Sequence, residues 1–209
     1  VQINVASPTQ LALTTQPAGV INGTIMTTPL VIEIRDSQGN RTASTGAVTV
    51  SIDSGTGGAL SGTLSVNAVN GIATFNNLTM TGTLNTPYRL KFSSVGLSLA
   101  ISSAFTVQSP PTLAAIGVSG TEDIPLTFSS GNFSSSFVDP EGASLASIQI
   151  VDPPGTGVLS LAGSAVTAAQ VIPFSQLGSL TYTPAANESG AKTFTVKAFD
   201  GSAWSSVAT

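Results

Sequence analysis

Apolar and polar side chains alternate along much of the chain with a period of two. Leu30, Ile32 and Ile34, for example, occupy every second position of one run. Similar runs lie at 48–52, 88–92, 126–128, 148–150, 159–161, 180–182 and 194–196. Successive side chains of a β-strand point to opposite faces, so this period predicts half-buried strands. A convincing helical period is absent, and the chain is therefore predicted to be all-β.

Turn-forming sequences separate these runs, at 36–40, 70–71, 152–155 and 200–201. Short strands with regular turns are typical of β-sandwiches. The 209 residues leave room for two domains of about 100 residues each. Ser109-Pro110-Pro111 is the best boundary, because proline cannot donate to a strand ladder and stiffens a linker. We predict two tandem β-sandwiches, residues 1–108 and 109–209.

Both ends of the sequence read as parts of strands. Val1, Ile3 and Val5 alternate as if they finished an earlier strand, and Trp204 begins a last strand that ends at Thr209. The N-terminus has no basic region followed by an apolar core, so no signal peptide is predicted. We expect the chain to be either cytosolic or, preferably, a piece of a longer exported protein.

Composition excludes several classes of function. The sequence contains no Cys and no His, which removes disulfides, thiolate nucleophiles, imidazole bases and zinc sites built on those residues. Only 8% of residues are charged, and the net charge is −4. The chain therefore lacks the basic surface of a nucleic-acid binder. It also lacks an apolar run of the length needed for membrane insertion.

Charge is divided unevenly between the two predicted domains. The first 108 residues carry four basic and three acidic side chains, whereas residues 109–209 carry two basic and seven acidic ones. Any function of the carboxylates is therefore expected in the second domain.

The second half contains a series of short motifs: 121–126 (TEDIPL), 139–142 (DPEG) with Leu145, 182–187 (YTPAAN) with Gly190, Phe194, and 199–201 (FDG). In this order, they resemble the cadherin-like repeats of large bacterial surface adhesins. The family usually has another Asp after its DPEG turn, where this chain has Ala143.

The first half contains four further segments of note: 36–40 (DSQGN), 48–52 (VTVSI), 58–62 (GALSG) and 70–75 (NGIATF). With these segments it is similar to the bacterial immunoglobulin-like repeats of invasin and intimin type. Together the two resemblances imply tandem immunoglobulin-like and cadherin-like β-sandwiches of a bacterial exported or cell-surface protein.

A sandwich topology groups the acidic residues at two ends of the second domain. Asp139 and Glu141 fall in the loop between the second and third strands, and Asp200 falls in the last hairpin; these three are expected to converge beside the linker. Glu122, Asp123 and Glu188 fall at the far end. Cadherin repeats place calcium between domains, so the resemblance implies Ca²⁺ at the first group and, more weakly, at the second. Calcium takes six to eight oxygen ligands in flexible geometry.

Other interpretations of these acids stay open. Asp139, Pro140 and Gly142 match positions i, i+1 and i+3 of a type I turn, so the acids are equally explained as turn residues and solvated charges. A carboxylate pair is also the machinery of glycoside hydrolysis. However, loops at the tip of a small sandwich provide no cleft and no buried acid, so no enzyme activity is expected.

We interpret the chain as a non-catalytic spacer or adhesion module, stiffened by calcium if the ion binds. Its expected partners are neighbouring repeats of the same polypeptide and a host or environmental surface protein or glycan. The alternative is a carbohydrate-binding or accessory module of a secreted polysaccharide-degrading enzyme. That alternative needs exposed rings, for which Phe133, Phe137 and Trp204 are the candidates.

Overall fold

The computed structural model describes residues 7–209, so the predicted strand at Val1, Ile3 and Val5 lies outside the described residues. The chain divides into two compact units between Gln108 and Ser109. Strands dominate both units, with one short α-helix and one 3₁₀ helix among the described residues. The prediction of an all-β protein is confirmed.

Unit 1 (residues 1–108) contains eleven strands in its described part. They are β1 (Gln10–Leu13), β2 (Val20–Ile21), β3 (Leu30–Arg35), β4 (Ala47–Ser54), β5 (Ala59–Ser61), β6 (Ser65–Asn67), β7 (Ile72–Phe75), β8 (Thr79–Thr81), β9 (Arg89–Ser93), β10 (Ala100–Ile101) and β11 (Val107–Gln108). One sheet has the order β1-β3-β7 and a second the order β10-β9-β4-β6. Strands β5 and β8 form a small antiparallel pair, and β2 and β11 a parallel one.

The core of unit 1 lies between the two larger sheets. Leu30, Ile32 and Ile34 on β3 are fully buried, as the alternation predicts, and they pack in one cluster with Leu90 and Phe92 of β9. Burying such side chains contributes about 1.5–3 kcal/mol each. The two layers are therefore held together by apolar contact from both sheets.

Unit 2 (residues 109–209) contains nine strands and two short helices. The strands are β12 (Thr112–Leu113), β13 (Leu126–Thr127), β14 (Phe137–Val138), β15 (Ser147–Asp152), β16 (Val158–Leu161), β17 (Ser164–Ala165), β18 (Val171–Pro173), β19 (Leu180–Thr183) and β20 (Thr195–Phe199). One sheet has the order β13-β19-β16-β17, the other β18-β15-β20, and β12 pairs with β14. Ile148 and Ile150 of β15 face Leu159 and Leu180 in a separate core.

The α-helix α1 (Ser130–Ser134) was not predicted. It begins at a capping box, in which the Ser129 hydroxyl accepts from the backbone N–H of Asn132 and the Asn132 side chain accepts from the backbone N–H of Ser129. Its one buried residue, Phe133, is 1% exposed and joins the core. Five residues are too few to show a helical period, so the cap was the available signal.

The last segment, 203–209, runs antiparallel to β20 but makes only isolated bridges. Trp204 pairs with Phe199, and Ala208 pairs with Val196. The last strand is thus shorter than the predicted one.

A β-bulge ends the central strand of each unit. The register shifts between Ile52 and Ser54 in β4 and between Ile150 and Asp152 in β15. A bulge bends and twists its strand, and in both units it directs the chain toward a Gly-Thr-Gly turn, 55–57 and 155–157.

Candidate functional site

Asp139 organises the acidic turn of unit 2. The backbone N–H of Gly142 donates to the Asp139 carbonyl at 3.2 Å, which closes the predicted β-turn. The Asp139 carboxylate oxygen Oδ1 also accepts from the backbone N–H groups of Glu141 (3.0 Å) and Ala143 (2.7 Å). An aspartate at the first position of a turn is favoured for this reason.

Glu141 reaches from the same turn to the first residue of unit 2. Its oxygen Oε1 accepts from the backbone N–H of Ser109 at 2.7 Å. The second oxygens, Asp139 Oδ2 and Glu141 Oε2, are both buried and have no hydrogen-bond partner. Burying a carboxylate oxygen without a partner is costly. A cation or a water molecule at the turn would give these two oxygens the partner that the protein does not supply.

Asp200 closes a different turn. Its Oδ1 accepts from the backbone N–H groups of Ser202 and Ala203, in the hairpin that follows β20. The register of β15 and β20 places Phe199 opposite Ser147, so Asp200 lies at the end of the sheet where β15 begins.

Glu188 is the centre of a hydrogen-bond network at the Gly-Thr-Gly turn of unit 2. Its Oε2 accepts from the Tyr182 hydroxyl at 2.8 Å and from the Ala185 N–H at 3.0 Å. Its Oε1 accepts from the Thr156 hydroxyl and forms an ion pair with Lys192 at 3.0 Å. The Glu188 side chain is only 8% exposed. Both carboxylate oxygens thus carry two internal contacts each.

The network changes the proton affinity of its members. Hydrogen bonds from Thr156, Ala185 and Tyr182, in that order, lower the pKa of Glu188 to about 2. Burial, followed by the hydrogen bond to Glu188, raises the pKa of Tyr182. Hydrogen bonds to an ionised carboxylate favour its charged form, so Glu188 remains a fixed charge over a wide pH range.

The other two far-end acids have different surroundings. Asp123 Oδ1 accepts from the backbone N–H of Asn187 at 2.8 Å and so lies against the loop that carries Glu188. Glu122 is exposed and makes no side-chain hydrogen bond or ion pair within residues 7–209.

The described part of the chain contains no cluster of acidic side chains large enough to form a metal site on its own. Among residues 7–209, no group of three or more Asp or Glu side chains is placed to hold one metal ion. The structure brings Asp139 and Glu141 together on one turn, and it places Asp123 against the separate loop that carries Glu188. Any cation at the first turn would depend on two carboxylates supplemented by carbonyls and water.

Sequence reasoning missed a tyrosine in unit 1, Tyr88, which lies at a Gly-Thr-Gly turn as Tyr182 does in unit 2. The Tyr88 hydroxyl donates to the Thr56 carbonyl at 2.9 Å and accepts from the Thr83 N–H at 2.8 Å. In unit 2 the Tyr182 hydroxyl lies 3.1 Å from the Thr156 carbonyl. The available signal was the Gly-Thr-Gly sequence, which occurs once in each half of the chain.

The aromatic residues do not form the predicted set of exposed rings. Phe133 is buried, which is a correction to its sequence-based placement, because helix α1 directs it into the core. Trp204 stacks on Phe199 with ring centroids 4.7 Å apart. One ring covers the other, whereas a sugar platform presents rings side by side.

The two-layer architecture, the separate cores and the antiparallel sheets define the class of each unit as an immunoglobulin-like β-sandwich.

Comparison with protein families agrees with this class. Residues 108–209 match the family model described as a bacterial Ig domain. Residues 6–108 match the model described as SMCHD1 Ig-like domain 6. The chain therefore consists of immunoglobulin-like repeats, and families of this kind are generally non-catalytic. No curated protein matches the chain.

Proposed function

We propose that the chain is a non-catalytic structural and adhesive repeat unit of a bacterial exported cell-surface protein. The observation that carries the proposal is the succession of two compact immunoglobulin-like units, each with its own apolar core. The similarity of residues 108–209 to bacterial Ig domains supports a surface-related role. Within residues 7–209, no helix combines the length and the apolar character needed to cross a membrane.

The proposed role of the unit is mechanical. It either holds a more distal part of the protein away from the cell or displays a contact surface. Its partners are then neighbouring repeats of the same polypeptide and a protein or glycan on an opposing surface. The acids support a non-catalytic role, because Glu188 is saturated by internal contacts and Asp139 and Asp200 close turns.

Single-molecule stretching of the chain tests the mechanical role. A spacer is expected to show two separate unfolding events, each releasing roughly 350 Å of chain, since an extended residue spans at most about 3.5 Å. Unfolding forces above the noise of the measurement identify units that resist extension. Smooth extension without discrete events contradicts the proposal.

We further propose that calcium binds at the turn formed by Asp139 and Glu141. The two buried oxygens without hydrogen-bond partners, Asp139 Oδ2 and Glu141 Oε2, support this part of the proposal. Calcium accepts such an irregular set, because carbonyls and water complete its shell. With only two carboxylates from this turn, the affinity is expected to be modest.

Thermal unfolding with calcium and with a chelator tests the calcium site. Trp204 is the only tryptophan of the chain, so its fluorescence reports on unit 2. Calcium at ten times its dissociation constant should stabilise the folded state by about 1.4 kcal/mol. Asp139→Asn combined with Glu141→Gln should remove the shift, while Glu122→Gln, an exposed acid elsewhere in unit 2, should not. An unchanged midpoint of thermal unfolding at millimolar calcium would contradict the proposed calcium site.

A further inference from the structure

Two cations lie on the solvent side of one strand of unit 1. In the sheet with the order β10-β9-β4-β6, Leu90 and Phe92 of β9 are fully buried in the core. Successive side chains of a strand point to opposite faces, so Arg89 and Lys91 lie on the outer face of the sheet. Arg89 is exposed and Lys91 is partly buried. Their backbone positions are about 7 Å apart, because each residue of a strand advances the chain by about 3.3 Å.

The positions beside these cations carry hydroxyl groups. Ser51 of β4 is the register partner of Lys91, and Ser54 is the partner of Arg89. Further exposed hydroxyls on the same face are those of Thr49, Ser65 and Ser93. A serine or threonine hydroxyl both donates and accepts hydrogen bonds. The face therefore offers hydrogen-bonding groups across three neighbouring strands, around its two positive charges.

Neither cation has an acidic partner within residues 7–209. The ion pairs of that part of the chain join Arg35 to Glu33, at 2.8 Å, and Lys192 to Glu188, at 3.0 Å. Asp53 is the only acid of the four strands, and it lies in the bulge of β4. It is exposed and makes no ion pair with the described residues. The fold therefore leaves the positive charges of this face without a counter-charge in contact.

One internal contact orients Arg89 and leaves most of its donors unused. Its Nη1 donates to the Ser102 carbonyl at 3.3 Å, and the Ser102 hydroxyl accepts from the Leu90 N–H at 2.9 Å. The other N–H groups of the guanidinium make no hydrogen bond within the described part of the chain. A guanidinium presents its donors in a planar fork that binds a carboxylate in a bidentate manner. Arg89 is thus held in place beside Lys91 with donors available for a carboxylate.

We infer that the outer face of this sheet binds a polysaccharide that carries carboxylate groups. Arg89 and Lys91 bind the carboxylates, and the surrounding serine and threonine hydroxyls exchange hydrogen bonds with the sugar hydroxyls. A polysaccharide fits these features better than a compact anion, because its chain can lie across several strands of a sheet face. It also fits better than an acidic peptide, which brings carboxylates but few hydroxyl groups.

This inference rests on the proposed function in one respect, since that role includes a glycan on an opposing surface as a partner. The site uses residues of unit 1 only and needs no calcium, so its test is run in chelator. Salt screens charges at an exposed face. Binding by a single copy is therefore expected to be weak and to fall as the ionic strength rises.

Affinity electrophoresis of the full chain, through a native gel that holds immobilised polygalacturonate, tests the inference. Relative to a polymer-free gel, the chain should be retarded at low ionic strength, and the same polymer with methyl-esterified carboxylates should not retard it. Arg89→Gln combined with Lys91→Gln should weaken the binding about tenfold or more, because both charge-assisted contacts are lost. Asp53→Asn should strengthen it about twofold, because a like charge beside the bound carboxylates is removed.

Arg41→Gln combined with Lys197→Gln is the matched control. It removes the same total charge from the chain but leaves this sheet face unchanged, because Arg41 bridges to Arg35 of β3 and Lys197 belongs to β20 of unit 2. This variant should bind polygalacturonate as the unsubstituted chain does. Hydrogen exchange resolved by residue verifies that unit 1 is folded in both double variants.

Three outcomes would overturn the inference. The first is an unsubstituted chain that polygalacturonate retards no more than the methyl-esterified polymer does. The second is an equal loss of binding in the two double variants, or no loss in either. The third is equal retardation by polyglutamate or DNA, which would assign the face to polyanions in general. None of these outcomes changes the two unfolding events expected on stretching, so this inference and the spacer role fail separately.

Discussion

Unit 1 and unit 2 seat a buried tyrosine on the same Gly-Thr-Gly turn, but they satisfy its hydroxyl differently. Tyr88 in unit 1 uses two backbone groups, the Thr56 carbonyl and the Thr83 N–H. Tyr182 in unit 2 bonds to an ionised carboxylate, Glu188, which is itself paired with Lys192. The comparison shows that one packing solution tolerates either a neutral or a charged partner.

The same comparison explains where the charge of unit 2 is used. Of its seven acids, Glu188 holds the tyrosine, while Asp139 and Asp200 close turns. Unit 1, with three acids, uses Asp36 in a similar turn, where it accepts from the N–H groups of Gln38 and Asn40. These acidic residues are thus structural, while Asp139 and Glu141 each keep a second, buried oxygen without a hydrogen-bond partner.

The largest effect is expected from crowding the tyrosine of unit 2. A Cβ at Gly157 would lie 2.6 Å from Tyr182 Cζ and 2.7 Å from the Thr183 carbonyl oxygen, at a φ of +66°. Gly157→Ala should therefore destabilise unit 2 by about 2–4 kcal/mol, from overpacking and backbone strain together. Denaturant unfolding followed by Trp204 fluorescence measures this.

Gly155→Ala is the matched control, since its Cβ would meet nothing within 4 Å. If both substitutions cost the same, the tyrosine contact does not determine the requirement for glycine.

Removing the tyrosine hydroxyl groups should destabilise the two units to different extents. Tyr88→Phe leaves two backbone groups, the Thr56 carbonyl and the Thr83 N–H, without their partly buried partner and should cost about 2 kcal/mol. Tyr182→Phe leaves Glu188 with its other three contacts and should cost about 1 kcal/mol. Hydrogen exchange resolved by residue reads each unit separately. A larger cost in unit 2 would contradict the ranking and make the charged partner the stronger one.

The smallest predicted effect is a pH dependence. The folded-state pKa of Glu188 lies at about 2, below its usual value of 4.5. The stability that Glu188 contributes to unit 2 is therefore fully present above about pH 4.5. It is lost as the pH falls from about 4.5 through about 2. Glu188→Gln should therefore reduce the acid-induced fall in the Trp204 unfolding midpoint over this window.

Asp36 provides the comparison in unit 1. Burial raises its pKa, but hydrogen bonds from Asn40 and Gln38 outweigh this and hold the pKa below its usual value. Asp36→Asn should change the acid sensitivity of unit 1 only. Glu122→Gln, at an exposed acid, should leave both units as they are, and an equal effect of all three substitutions would contradict the assignment.

Much of the fold was predictable because local pattern and burial agree. Leu30, Ile32 and Ile34 alternate in the sequence and are all fully buried in β3. The turn at Asp139 was predictable for a similar reason, since Asp, Pro and Gly each favour their own position in it. Helix α1 was missed because five residues do not establish a period.

The network around Glu188 could not be predicted in the same way. Thr156, Tyr182 and Glu188 come from three separate segments, and only the packing of the sheets brings their polar atoms within hydrogen-bond distance. The sequence showed Glu188 as one acid among seven. The largest lowering of its pKa comes from the Thr156 hydroxyl, which is 32 residues away in the sequence, a contact that local sequence does not encode.

Side-chain period, and residues that favour particular backbone angles, were enough to predict the β class of the chain, its strands and its turns. The partners of the acidic side chains were not predictable in this way. They depend on how distant segments pack, because that packing sets which polar atoms come within hydrogen-bond distance and which carboxylate oxygens keep no partner.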